Sequence, residues 1–401
     1  MPRLDPDQPG VVVAGPWRGS PHDWADHCQA LIAWQQRSGW PVLADPLSGL
    51  RGLPDLELVG AYDLLLECPP PELTPPQVLR LGSLPASRRL ERWLQACGGV
   101  QVLVSQGDPR RLDPLGTVPP QGQWSGGLAA WLIALGWGSV QECAPSPASL
   151  ALAQRWHRAE SAAQRCLDHD LAAAPPSDAG AIQTEALNTE AFNTEALNEP
   201  WLARSLSRLL PPGLPLMLAS SSPVRDWAAF ADPQAPGRPM YGFRGASGID
   251  GTLSIACGLA EALGQLVLVS GDLALLHDAN GWLWRRQLRG RLTVVLIENG
   301  GGGIFEQLPI RSERPEHLDF ERLFAMPQAV DQLALASLHG VPGWRLQQPA
   351  ELAAALAWAL AQPFALLEVR TQRRPDAAWR QQLRRRIGAE ALGRENGFSG
   401  L

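Results

Sequence analysis

The chain has 401 residues, a formal charge of −6 and 45% hydrophobic residues. That length exceeds one compact domain and predicts two or three, and so mild a charge gives no reason to expect nucleic-acid or membrane-surface binding. All 34 basic residues are arginine, which excludes lysine Schiff-base chemistry and a Walker A lysine.

The start, MPRLDPDQPG, lacks the charged and apolar regions of a signal peptide. No stretch approaches roughly 18 uninterrupted apolar residues, so no membrane span is expected and a cytoplasmic location is. Residues 1–150 then alternate between strand and helix patterns. The strand candidates are 11–15 (VVVAG), 41–45 (PVLAD), 62–67 (YDLLLE) and 100–106 (VQVLVSQ), with a helical pattern over 22–39 between the first two. Such alternation predicts a parallel sheet with helices on its faces, a Rossmann-like central domain. The turn after the first strand, GPWRG at 15–19, lacks G-x-G-x-x-G, so no dinucleotide site is expected and the domain reads as mainly architectural.

Residues 151–200 read as a helical linker, in which a five-residue unit recurs three times (184–198, TEALNTEAFNTEALN). Five residues are too few for a solenoid repeat, so a duplication in a tolerant exposed segment is expected. The six scattered cysteines form no CxxC, and the seven histidines fall in no HxxxH or HxH spacing. Reduced thiols are expected, with no zinc site and no disulfide framework.

Residues 201–375 predict a second α/β unit, with strands at 214–220, 266–272, 292–299 and 364–370. The fold class is thus α/β, with two Rossmann-like parallel-sheet domains joined by a helical linker. Residues 376–401 read as a terminal helix and tail, whose charge run at 379–388 (WRQQLRRRIG) predicts a solvated helix.

The chemistry gathers in this second unit. The apolar run 265–270 ends in Gly271-Asp272, and the run 292–298 ends in Asn299 followed by four glycines, 300–303. The separation, 299 − 272 = 27, matches a βαβ unit of roughly 30 residues, so both residues fall at the carboxyl ends of neighbouring parallel strands. A carboxylate, an amide oxygen and an approachable main-chain carbonyl form a hard-oxygen set suited to Mg²⁺ carrying a diphosphate. Taken singly, Asp272 would be read as a helix cap and Asn299 as a turn residue. The pair at this spacing favours the ligand reading, and it matches the diphosphate motif of thiamine-diphosphate enzymes.

The segments SSSPVRDWAAF (220–230), GFRGASGIDGTLSIACG (242–258), GDLALLHDANG (271–281) and ENGGGGIFEQLP (298–309) together resemble one family closely. It is that of 2-succinyl-5-enolpyruvyl-6-hydroxy-3-cyclohexene-1-carboxylate synthase, known as MenD. The resemblance is strongest over residues 200–370, and RGASGIDG and GGGIF carry its specificity. It implies Mg²⁺ or Mn²⁺ bound by the side chains of Asp272 and Asn299 and the carbonyl of Gly301, with Gly271 beside the diphosphate. It implies that Ile249 supports the bend between the two rings of thiamine diphosphate. Ser221, Arg225 and Arg244 would engage substrate carboxylates, for which guanidinium is suited. Ile304, Phe305 and Leu308 would wall the reacting carbon.

On the residues alone, Arg225 also fits a salt bridge with Asp226, Arg244 a loop arginine, and the three apolar residues plain core. His277 and Asp278 read as structural. One departure stands out: Glu298 replaces the family's usual asparagine, which leaves coordination intact but is expected to weaken cofactor affinity.

The implied reaction is decarboxylation of 2-oxoglutarate and addition of the succinyl carbanion to isochorismate, in menaquinone or phylloquinone biosynthesis. The resemblance further implies a homodimer or homotetramer. It also implies an N-terminal pyrimidine domain carrying a catalytic glutamate, which this chain is expected to lack through a late start or a split gene. No catalytic residue is therefore assigned within it. The rival expectations are a non-catalytic cofactor-binding remnant and another thiamine-dependent carboligase.

Overall fold

The computed structural model describes residues 2–108, 110, 112–137, 144–172, 197–243, 245, 247–311 and 318–391. Residues 184–196 of the TEALN repeat and Arg244 lie outside these residues. The chain divides into two compact units, one of residues 1–166, 232–240 and 384–401, the other of residues 167–231 and 241–383. Each is a helix-flanked α/β sheet, and every strand pairing whose register is recorded is parallel.

The first sheet contains β1 (Val11–Ala14), β2 (Val42–Ala44), β3 (Leu58–Val59), β4 (Gln77–Leu81), β5 (Val100–Val104) and β6 (Gln123–Trp124). Their order is β3-β2-β1-β4-β5-β6, that of a doubly wound sheet. The helix Trp24–Ser38 packs Leu31 and Trp34 onto it, and Gly39 ends the helix at φ 67°. Trp34 stands edge-on to Trp40 at 5.2 Å between ring centres. The crevice where the strand order reverses is lined by Ala14, Gly15, Leu81, Gly82 and Val104. A Cβ on Gly15 would meet the Ser83 carbonyl at 1.6 Å, so this glycine serves the close approach of two strand-end loops.

One expectation fails in this sheet. Residues 62–67 do not form a strand: Tyr62–Leu65 is a short helix with Tyr62, Leu64 and Leu65 buried. A short apolar run is equally compatible with a buried strand or a buried helical turn. A strand that none of the candidates covered, β4, pairs with β1 on the side away from β2, and there Arg80 interrupts the apolar pattern yet is 1% exposed and pairs with Asp113 at 2.7 Å.

The second sheet contains β7 (Leu216–Leu218), β8 (Met240–Gly242), β9 (Gln265–Gly271), β10 (Arg291–Glu298), β11 (Gly343–Leu346) and β12 (Phe364–Arg370), in the order β11-β12-β10-β9-β7-β8. The interior of β10, Leu292–Ile297, is buried throughout, as expected of a strand covered on both faces. The terminal helix runs Arg373–Glu390 and is not simply solvated. Arg380, Leu383 and Ile387 recur at helical spacing and are at most 1% exposed. Among the described residues, no helix is long and apolar enough to cross a membrane.

Candidate cofactor site

Because β7, β9, β10 and β12 are parallel, their carboxyl ends share one sheet edge. The register pairs Gly271 with Ile297, which sets Asp272 beside Glu298 and puts Asn299 one residue further on. Asp272 is 7% exposed, and its Oδ1 accepts the Leu273 N–H at 2.7 Å. Its Oδ2 accepts the Gly301 N–H, also at 2.7 Å, and so ties the glycine loop to β9. Burial, and after it the Glu298 carboxylate, push the Asp272 carboxyl up to about 7. Two carboxyls this close disfavour a second negative charge, and a cation between them would relieve that.

Asn299 supplies the clearest sign of a ligand. Its Nδ2 donates to Glu199 Oε1 at 2.8 Å, while its Oδ1 is buried with no hydrogen-bond partner. Such an orphaned acceptor in a folded core calls for an explanation, and a bound ion is one. Gly301 has φ 120°, and a Cβ there would meet the Ala325 carbonyl at 2.0 Å, so only glycine fits. Its carbonyl accepts the Gly303 N–H at 2.8 Å and keeps its second lone pair. Arg373 holds the neighbouring Gly300 carbonyl at 2.8 Å. A Cβ on Gly271 or Gly300 meets nothing within 4 Å, so there is open space beside Asp272.

A carboxylate, an unsatisfied carboxamide oxygen and a main-chain carbonyl thus fit Mg²⁺ or Mn²⁺. Among the described residues no three His, Cys, Asp or Glu side chains form a metal cluster, which leaves this mixed oxygen set as the candidate.

Ser221 follows β7 on the same edge and has φ 77°, ψ −133°, one of two non-glycine residues with positive φ among the described residues. Such a backbone costs about 1–3 kcal/mol and tends to occur at functional sites. The Ser221 carbonyl accepts from exposed Arg225 at 2.6 Å. Asp226 pairs with Arg380. Ile249 is half-buried just before the helix Thr252–Leu263, and its carbonyl accepts the Thr252 hydroxyl at 2.9 Å. Asp278 accepts both the N–H and the hydroxyl of Ser254, a structural task.

Ile304 and Phe305 are half-buried, with Phe305 edge-on to Phe324 at 5.5 Å. Leu308 is 39% exposed, so plain core does not describe it. The sequence reading missed Glu199, Gln332 and Arg373. Gln332, 4% exposed, donates to the Asp272 carbonyl at 3.1 Å. No local motif marks any of the three.

The sequence profile described as "Thiamine pyrophosphate enzyme, C-terminal TPP binding domain" matches residues 224–369. The chain is 51% identical over 385 residues to the 2-succinyl-5-enolpyruvyl-6-hydroxy-3-cyclohexene-1-carboxylate synthase of Synechococcus sp. (strain RCC307), covering 95% of this chain and 61% of that relative. It is 49% identical to the synthase of the same name from Synechococcus sp. (strain CC9902), covering 96% of this chain and 62% of the relative. For the one from Prochlorococcus marinus (strain MIT 9313) the identity is 48%, covering 95% and 62%. The chain spans about three fifths of the length of these curated relatives. With identity near one half along almost all of its own length, the chain belongs to the 2-succinyl-5-enolpyruvyl-6-hydroxy-3-cyclohexene-1-carboxylate synthase family of thiamine-diphosphate enzymes.

Proposed function

We propose that the chain provides the metal- and diphosphate-binding part of a synthase that joins 2-oxoglutarate, after loss of CO₂, to isochorismate. The observation that carries this reading is the buried, unpartnered Oδ1 of Asn299 beside Asp272 at the carboxyl edge of the sheet. Asp272, Asn299 and the Gly301 carbonyl would hold Mg²⁺ or Mn²⁺, and the open space at Gly271 and Gly300 would admit the diphosphate. Thiamine diphosphate, when bound, supplies the carbanion stabilisation that decarboxylation and carbon–carbon bond formation require.

The chain's own residues would then position and select. Ile249 would support the cofactor's bend. Ser221, Arg225 and Arg244 would pair with substrate carboxylates, and Ile304, Phe305 and Leu308 would keep water from the reacting carbon. The assembly proposed is a homodimer or homotetramer in the pathway to menaquinone or phylloquinone.

The test is isochorismate-dependent CO₂ release from 2-oxoglutarate with thiamine diphosphate and Mg²⁺. It is run on the chain alone and on the chain supplemented with the part of a relative outside the matched span. Product in the supplemented reaction is expected. Cofactor binding without product in either reaction would favour a non-catalytic cofactor-binding protein.

A further inference from the structure

Asn299 can serve a metal only if its carboxamide is turned the right way. An amide has an oxygen end and an NH₂ end of nearly the same shape, and a half-turn about its last side-chain bond exchanges them. What fixes the turn here is Glu199, one hundred residues earlier in the chain. A carboxylate only accepts hydrogen bonds, so the amide end that faces it must be NH₂. Asn299 Nδ2 donates to Glu199 Oε1 at 2.8 Å, and Oδ1 is left pointing to the unpartnered position.

Glu199 is itself held hard. It is 1% exposed at the start of the helix Glu199–Leu209, which Asn198 caps. Its Oε2 accepts from Arg380 at 2.6 Å, and its backbone N–H donates to Asp376 Oδ2 at 3.1 Å. Arg380, 1% exposed on the terminal helix, also donates to Asp226 at 2.7 Å. The buried guanidinium therefore keeps an acceptor oxygen facing it, and the other carboxylate oxygen faces Asn299.

We propose that Glu199, oriented by Arg380, is the positioning residue that turns the Asn299 carboxamide oxygen toward the metal. The proposal rests on the metal reading of Asp272 and Asn299. It adds a residue outside every motif of the sheet edge, and it gives the buried ion cluster a task at Asn299.

The polarity of the pair gives a test that general damage cannot imitate. In Glu199→Gln the side chain keeps its size. Arg380 still demands an acceptor, so the new amide turns its oxygen to the guanidinium and its NH₂ to Asn299. Asn299 must then present its own oxygen to that NH₂ and its NH₂ to the metal position. Loss of an orienting partner of this kind typically weakens metal binding about 10–100-fold. Combining Glu199→Gln with Asn299→Asp restores an acceptor on both sides of residue 299 at unchanged net charge, and binding is expected to return.

Mn²⁺ titration followed by electron paramagnetic resonance, with thiamine diphosphate present, reads this without turnover. It is run on the wild type, Asp272→Ala, Glu199→Gln and the double variant, with circular dichroism showing each is folded. Weakened binding in Glu199→Gln and recovery in the double variant are expected. Wild-type binding in Glu199→Gln overturns the proposal while leaving the metal reading intact, as does a loss the double variant fails to recover. Equal binding by the wild type and Asp272→Ala overturns the metal reading and the proposal with it.

Discussion

Replacing Arg380 by methionine should destabilise the second unit severely. The guanidinium is 1% exposed and lies between the carboxylates of Glu199 and Asp226, themselves 1% and 4% exposed. Burial alone would pull its proton affinity down, but the charges of Asp226 and Glu199 outweigh that and hold it up. Methionine keeps much of the volume and removes the charge, leaving buried carboxylates without compensation. Breaking a buried pair in this way costs about 3–5 kcal/mol, against a total stability of about 5–15 kcal/mol for a typical protein. For a unit of this size that corresponds to a fall in Tm of about 6–20 °C.

Calorimetric unfolding in EDTA measures the fall without interference from metal. A companion with methionine at 380 and leucine at 199 and 226 should recover much of the loss, because the desolvation penalty goes with the charges. If Arg380→Met cost less than about 1 kcal/mol, the range of an exposed ion pair, the cluster would not be the buried network described.

Burial, and after it the Glu199 charge, raise the Asp376 carboxyl from 3.8 to about 8. Between those values the folded chain binds a proton that the unfolded chain has released. This contribution to stability is complete below pH 3.8 and is lost as the pH rises through about 8. Melting in EDTA from pH 5 to 8.5 should therefore show a falling Tm, and Asp376→Asn, which mimics the protonated acid, should flatten that slope. Gly301→Ala forces a Cβ toward the Ala325 carbonyl at a φ of 120°. A stability loss of about 1–3 kcal/mol and weaker Mn²⁺ binding are expected, measured by denaturant titration and resonance. Arg225→Ala should lower kcat/KM about tenfold to a hundredfold in the supplemented reaction while thiamine-diphosphate affinity stays constant. Unchanged kinetics would remove Arg225 from carboxylate recognition.

The strand-end placement of the candidate site was legible because it is local. Asp272 and Asn299 stand one βαβ crossover apart, and that spacing alone sets them on neighbouring strand ends, as the β9–β10 register bears out. Glu199 was not legible, because its importance arises from a partner one hundred residues away and a guanidinium 181 residues away. Arg380 was misread for the same reason: a charge run reads as solvated until a non-local carboxylate takes up one of its members. The strand Gln77–Leu81 was hidden by Arg80, whose buried partner Asp113 lies 33 residues on. Meanwhile the more apolar 62–65 became a helical turn. In each case the local pattern reports the average behaviour of a residue type, and a specific tertiary partner overrides it.

Calorimetric titration of thiamine diphosphate into the protein, first with Mg²⁺ and then with EDTA, asks whether Asp272 and Asn299 hold a metal-bridged diphosphate. Binding is expected with Mg²⁺, is expected to vanish with EDTA, and should fall by more than about a hundredfold in Asp272→Ala, since losing one ligand of a three-ligand set leaves a small hard cation poorly held. Binding that ignores EDTA, or an Asp272→Ala variant with wild-type affinity, would contradict a metal-bridged cofactor at this edge of the sheet.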